Sequence, residues 1–312
     1  MIQVIGSCAD PHVNCVLAHL KAIGNEYRVL DIFDSQSHGL SSTITPDVDL
    51  CLAAGISTEA AKVVWWRVKP SFYVATKDIV DYYDQEFALR EWLAVLDFTS
   101  TTYKDAKWVN PRQTSMLASS KIRQLALASE CGFRVPRTLF SNNAEKVREF
   151  VDSLDVCVHK TITPYICPNG RLKYTTVVNS TIISECYTEL QANPSIFQEY
   201  IRPAYELRVT AVGDKFFVAR IDKRNRGEPD WRTEISDDIY TVGDLDISVT
   251  ETLLRLHRTL GLAYAAYDFV VTEDSELVFL EVNPAGQWLW IEQRLELQIS
   301  AALAQYLARH DH

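Results

Sequence analysis

Residues 267–284 read YDFVVTEDSELVFLEVNP: two apolar runs, Tyr267–Val271 and Leu277–Val282, flank a polar segment rich in turn residues. That is the pattern of a β-hairpin. A four-residue loop at Glu273–Glu276 sets Thr272 opposite Leu277, Val270 opposite Phe279 and Asp268 opposite Glu281. Side chains alternate along a strand, so Phe269, Val271, Val278, Leu280 and Val282 are expected on one apolar side. Asp268, Glu281 and Asn283 are expected together on the other, the direct pair with Cβ atoms roughly 5 Å apart. Two facing carboxylates repel, and a hard divalent cation between them removes that cost. Carboxylate and amide oxygens are what Mg²⁺ accepts when substrate phosphates complete its shell. The plainer alternative is a half-exposed hairpin whose wet face is acidic.

Outward from this hairpin, strand and helix signals alternate. Near the start, Ile2–Ile5, Tyr27–Phe33 and Val63–Trp66 read as strands, and Pro11 and Gly24 bound a helix between the first two. Lys77–Leu96 has helical periodicity. This points to an α/β region with a parallel sheet. Beyond the Asn110-Pro111 turn, a helix is expected over Ser115–Glu130, stopped by Gly132 and Pro136. Asn142–Glu145 offers a capping box. Strands are expected at Val156–Lys160 and Leu172–Val178, then in FQEYI (197–201), ELRVTAV (206–212) and KFFVARI (215–221). A helix through Val249, Leu253 and Leu256 stops at Gly261, and another lies around Ser300–Leu307.

Composition excludes several classes of function. The 312 residues carry 41 acids against 31 Lys and Arg, a net charge of −10, which argues against nucleic-acid or anionic-membrane partners. The 7 cysteines form no CxxC pair, so neither a disulfide framework nor a zinc knuckle is expected. With no signal-like start and no long apolar run, a cytoplasmic protein is expected. The 11 glycines are never closer than 14 residues. Walker A and dinucleotide-binding loops need glycines two to five apart, where bare backbone meets phosphate, so both are excluded. Any nucleotide must be held by side chains and metal.

Two lysines fit that demand. Lys121 sits in a polar helical stretch, and Lys160 ends an apolar strand where its point charge can reach phosphate. Gln198, Glu199, Tyr200 and Ile201 precede Arg202-Pro203, so a strand ends there in a bend and can offer backbone groups to a base edge. Glu206 could accept from ribose hydroxyls, and Arg208 or Arg220 could steady a phosphoryl group in transfer. Whether the two arginines share a face is left open by a one-residue ambiguity of register. Arg220, Lys223, Arg224 and Arg226 make a basic loop, which is either a solvated face or a local attractor for an anionic substrate. Asp230-Trp231-Arg232 closes it.

The ordered set Lys121, Lys160, QEYI, Glu206-x-Arg208, Arg220, Asp268 and Glu281-x-Asn283 resembles the ATP-grasp superfamily. It looks most like the branch of ribosomal-protein S6 glutamate ligase-type enzymes and graspetide (microviridin-type) peptide maturases. The maturases match more closely through Trp65-Trp66-Arg67, Trp108–Pro111, Lys121-x-x-Gln124-Leu125, Val135-Pro136-x-Thr138, Asp230-Trp231-Arg232 and the closing LEVNPAGQWLW (280–290). The family's tryptophan motif continues with paired arginines, and here Val68-Lys69 follows Arg67. The resemblance implies an α/β (α+β) ATP-grasp fold in three parts. These are a parallel-sheet pre-ATP-grasp domain at 1–110, a central subdomain at 111–190 and a C-terminal subdomain at 191–312. It implies ATP and Mg²⁺, with Lys121 and Lys160 on phosphates, Gln198–Ile201 and Glu206 on adenosine, and Asp268, Glu281 and Asn283 on the metal. Arg208 and Arg220 would be catalytic, and Arg67, Lys223, Asp230 and Arg232 would meet substrate. The implied reaction activates Asp or Glu side chains of a ribosomal precursor peptide as acyl phosphates and joins them to Ser, Thr or Lys. The alternatives are ligation of a free amino acid and, from another class, a non-catalytic peptide-binding module. A homodimer is an open expectation.

Overall fold

The computed structural model describes residues 1–31, 41–42, 52–53, 61–68, 79–163, 175–222 and 239–311. Strand β1 (Ile2–Gly6) is buried along its whole length and feeds α1 (Pro11–Ala22). The Asp10 side chain caps α1 by accepting from His12 N, Pro11 fills the position that needs no donor, and Gly24 ends it at φ 77°. Next come β2 (Tyr27–Asp31), the short pair β3 (Ser41–Ser42) and β4 (Leu52–Ala53), β5 (Val63–Trp66), α2 (Tyr82–Thr102) and β6 (Lys107–Val109). The order β2-β1-β5-β6 is parallel throughout, with the buried, Val- and Ile-rich β1 and β5 at its centre. Helix α2 starts later than its periodicity suggested, because Asp81 caps it by accepting from Tyr83 N and Asp84 N.

The expected single helix at 115–130 is two, α3 (Arg112–Ala118) and α4 (Lys121–Glu130), broken at Ser119-Ser120. There follow β7 (Thr138–Ser141), α5 (Ala144–Asp152), β8 (Cys157–Lys160), β9 (Thr176–Val178), α6 (Ser180–Glu185), α7 (Tyr187–Ala192) and β10 (Ser195–Glu199). The cap of α5 is Asn143, which accepts from Lys146 N. These strands form an antiparallel sheet in the order β7-β10-β8-β9. Strand β10 thus belongs with this sheet although it lies past residue 190.

The rest of the chain gives β11 (Tyr205–Val212), β12 (Lys215–Ile221), β13 (Tyr240–Val242), α8 (Ile247–Thr259), β14 (Tyr264–Val271), β15 (Leu277–Asn283), α9 (Leu289–Leu295) and α10 (Ile299–Arg309). The five strands run β13-β12-β11-β14-β15, antiparallel. Helices α4 and α8 pack Leu125, Ala128, Leu253 and Leu256 against one face, over Leu207, Val209, Phe269 and Phe279. On the opposite face Val212, Ala219 and Tyr264 are buried as well. A second core ties the two ends of the chain together: Ile2, Val13, Leu20 and Trp65 pack with Trp288, Leu303 and Leu307. The Met1 ammonium also pairs with Asp311. Among the described residues no helix is long and apolar enough to cross a membrane.

The hairpin departs from its expected register in one informative way. Asp268 does face Glu281, but from Phe269 onward the pairing slips by one, to Phe269–Phe279, Val270–Val278 and Val271–Leu277. A bulge absorbs the extra residue at Leu280. Phe279 therefore joins the helix-covered core. Val278 and Leu280, expected on that apolar side, instead pack with Val270 and Ile201 on the other.

Candidate active site

The face of the five-stranded sheet turned away from α4 and α8 carries the acidic set. Arg208 on β11 lies opposite Asp268 on β14, and Glu206 lies opposite Val270. Period-two alternation therefore gives Glu206, Arg208, Asp268 and Val270 one face. Arg208 Nη1 donates to both Asp268 oxygens at 2.8 Å, and Glu281 faces Asp268 from β15. Burial works against the Arg208 charge, and Asp268 overrides it, so the guanidinium is held above its ordinary value. The expected repulsion between carboxylates is thus already softened by an arginine. Asn283 Oδ1 accepts from Ala285 N at 3.0 Å, which orients the amide at the strand end.

Across from this face stands Lys160, at the end of β8. Its Nζ donates to Gln198 Oε1 at 2.7 Å, and Gln198 Nε2 donates to Thr138 Oγ1 at 2.9 Å. The buried Gln198 side chain thus aims the lysine rather than meeting a base directly. Burial pushes the Lys160 ammonium below its ordinary value, against the pull of Glu281, Glu206 and Asp268 and helped by the like charge of Lys121. Those four partners come from three separated stretches of sequence, so the fold brings the expected set to one place. Lys121 Nζ donates to Thr161 O at 2.8 Å, beside the end of the Lys160 strand. Gln124, one turn along α4, bonds both Val282 N and Val282 O and so pins that helix to the strand carrying Glu281 and Asn283.

An apolar floor adjoins the charges: Ile201, Val270 and Val278 are buried together with Leu280 against them. Reasoning from the sequence put Val278 and Leu280 on the wrong side because it assumed an unbulged hairpin. The signal was there in LVFL, whose four apolar residues in a row break alternation.

Some expected residues stand elsewhere. Arg220 lies opposite Leu207 rather than Arg208, hence on the helix-covered face of the sheet. There it forks onto Asp222 at 2.8–3.1 Å and lies 3.8 Å over the Tyr205 ring, with its side chain 42% exposed. The two arginines do not share a face. Arg67 is 3% exposed and engaged with Asp10 and the carbonyls of Ala285 and Gly286, so it is not presented to a substrate. Glu199 turns its carboxylate to Arg137 N, away from Lys160. Tyr200 continues the strand through a bond from its N to Val156 O, placing Ile201 next to the apolar floor. Lys223, Asp230 and Arg232 lie outside the described residues. Trp65 and Trp288 are buried core residues.

The donor set suits a hard cation. The carboxylates of Asp268 and Glu281 and the amide oxygen of Asn283 are hard donors, and among the described residues no three His, Cys, Asp or Glu side chains gather as a metal-binding group. The apolar floor beside buried Glu206, facing two ammonium groups, suits a nucleotide with its base on the floor and its phosphates toward the lysines.

A model of the RimK-like ATP-grasp domain matches residues 118–307. The chain belongs to the RimK-like ATP-grasp family. It is an ATP-grasp ligase with a mixed helix-and-sheet fold and an N-terminal parallel sheet. A curated relative, a "Probable alpha-L-glutamate ligase" of Xanthomonas oryzae pv. oryzae, is 27% identical over 202 residues, covering 64% of this chain and 67% of its own. Solved structures match along nearly the whole chain. The macrocyclase MdnC of Microcystis aeruginosa MRC, bound with precursor peptide MdnA, is 26% identical with a TM-score of 0.86, covering 99% of this chain and 100% of its own. A RiPP-associated ATP-grasp ligase of Chryseobacterium gregarium, in complex with ADP and a leader and core peptide, is 25% identical with a TM-score of 0.85, covering 99% and 96%.

Proposed function

We propose that this ATP-grasp ligase closes macrocycles in a ribosomally made precursor peptide in the cytoplasm, joining Asp or Glu side chains to Ser or Thr hydroxyls or Lys amines. The observation that carries this reading is the proximity of Lys160 to Lys121, Glu206, Asp268 and Glu281, with Arg208 paired to Asp268 and Asn283 at the end of the Glu281 strand. The choice of a peptide substrate is supported by extent. The likeness to the peptide-bound macrocyclase runs through the N-terminal parallel sheet, whereas the match to the glutamate ligase covers 64% of the chain.

A carboxylate is a poor electrophile until its oxygen is phosphorylated. Attack of that oxygen on the γ-phosphorus of ATP breaks the bond to ADP and leaves an acyl phosphate. The hydroxyl or amine then attacks the acyl carbon, loses its proton and expels inorganic phosphate. Lys121 and Lys160 would offset the phosphate charge, which is positioning and electrostatics rather than covalent catalysis. Asp268, Glu281 and Asn283 would hold Mg²⁺, which supplies charge neutralisation at the phosphate oxygens. Ile201, Val270, Val278 and Leu280 would grip the base with Glu206 on the ribose, and Arg208 would steady the acyl phosphate. The chain then needs no nucleophile of its own.

The test is intact mass of the precursor peptide encoded beside this gene after incubation with ATP and Mg²⁺. Loss of one water per ring supports macrocyclisation. Gain of a residue when free amino acids are supplied would assign amino-acid ligation instead, as in the curated relatives. Binding of the peptide without ATP consumption would leave a peptide-binding module.

A further inference from the structure

The turn that follows Asn283 is held by several groups from the N-terminal part of the chain. Pro284 O accepts from Asn110 Nδ2 at 3.1 Å, and Ala285 O and Gly286 O accept from Arg67 Nη1 at 2.9 and 3.2 Å. Gly286 O also accepts from the Tyr264 hydroxyl at 2.8 Å, and Trp288 N donates to His12 Nε2 at 3.2 Å. Asp10 organises this grip: one oxygen takes His12 Nδ1 at 2.8 Å and the other takes Arg67 Nε at 3.2 Å. Because His12 Nε2 must accept from Trp288 N, its ring proton sits on Nδ1 and points to Asp10. The Arg67 guanidinium also lies 4.8 Å from the centre of the Trp288 ring.

This grip leads back to the site. Ala285, whose carbonyl Arg67 holds, donates through its N to Asn283 Oδ1 at 3.0 Å. Gln287 O lies 3.4 Å from Arg208 Nη2, beside the Arg208–Asp268 pair. A rigid-body shift of residues 285–287 would therefore turn the Asn283 amide and loosen Arg208 together.

We infer that Arg67, braced by Asp10 and His12, is a positioning residue for Asn283: it clamps the 284–288 turn so that the amide oxygen is held ready for the metal. This rests on the proposed reading of Asn283 as a magnesium ligand. A lysine at position 67 retains a charge for Asp10, but its single ammonium cannot reproduce the planar fork that spans Asp10 and two carbonyls.

The test is titration of the full chain with Mn²⁺, as a spectroscopic stand-in for Mg²⁺, by electron paramagnetic resonance in the presence of ADP. ADP affinity without metal and thermal unfolding are measured alongside. Arg67→Lys is expected to weaken Mn²⁺ about tenfold, as loss of a group that orients a metal ligand does, with metal-free ADP affinity unchanged. Asn283→Ala is expected to weaken Mn²⁺ at least as much. Wild-type Mn²⁺ affinity in a folded Arg67→Lys protein, with Asn283→Ala impaired, overturns the clamp and leaves the metal site standing. Wild-type affinity in Asn283→Ala overturns the metal reading and the clamp with it. If Arg67→Lys does not fold, the paired change Asp10→Asn with Arg67→Met removes both buried charges at once, and the same readings apply. Unfolding of both variants would make Arg67 a residue of general stability and reject the specific role.

Discussion

Gly286→Ala places a methyl where the structure has no room. A Cβ built at Gly286 would lie 2.4 Å from Ala266 Cβ and 3.0 Å from Arg208 Nη2. Carbon atoms in contact prefer about 3.5–4.0 Å, so the turn must retreat by roughly 1 Å from a strand that is fixed on both sides. Overpacking of this kind costs about 1–3 kcal/mol, while the smaller unfolded-state entropy of alanine returns about 0.4–1 kcal/mol. A net loss of about 1–2 kcal/mol is expected from urea unfolding. The origin of the loss is separable by a second substitution. Ala266→Gly removes the opposing methyl and by itself costs about 0.5–1 kcal/mol in a strand. In that background Gly286→Ala should cost nothing or gain slightly, giving a favourable coupling of about 1–3 kcal/mol in the double-mutant cycle. Turnover should recover less than stability, because the contact with Arg208 persists in the double variant. Equal costs of Gly286→Ala in both backgrounds would refute the steric argument.

Further outcomes follow from the charges. Lys160→Met should remove at least about 99% of turnover while leaving stability equal or higher, because burial already disfavours its charge; chemical denaturation and ATP consumption check this. Its folded pKa lies below the ordinary 10.5, so the folded state binds fewer protons and this group's contribution to stability rises as pH climbs through that window. The alkaline limb of kcat/KM is expected below pH 10.5 for the same reason. Arg208→Lys should lower kcat about 100-fold, whereas Arg220→Met, across the sheet, should stay within about threefold and cost under about 1 kcal/mol. Comparable losses in steady-state assays would contradict the placement of Arg220. His257 is buried with Nδ1 2.7 Å from the Tyr267 hydroxyl, and burial pushes its pKa from 6.5 down to about 4. Stability is full above pH 6.5 and falls as pH drops toward 4, by roughly 3 kcal/mol for a shift of that size. Urea midpoints across that range should fall, and His257→Phe should flatten the dependence.

Much was legible in the order of residues alone. The parallel N-terminal sheet follows from short buried Val and Ile runs separated by a helix with its own stop signals. The period-two pattern puts Asp268, Glu281 and Asn283 on one side of a hairpin, and the spacing of the glycines excludes Walker A and dinucleotide-binding loops. These are local properties, fixed by neighbours a few positions apart. Tertiary structure decided what distance in sequence conceals. The bulge at Leu280 arises because Phe279 packs with Phe133 and Phe269, and that packing sends Val278 and Leu280 to the site face. The register of β11 against β12 separates Arg220 from Arg208. Arg67 turns inward because Asp10 and two carbonyls 218 and 219 residues away need a buried donor. Periodicity tells a side chain which face it takes, but only the partners across the sheet and the turn tell it what it must satisfy there.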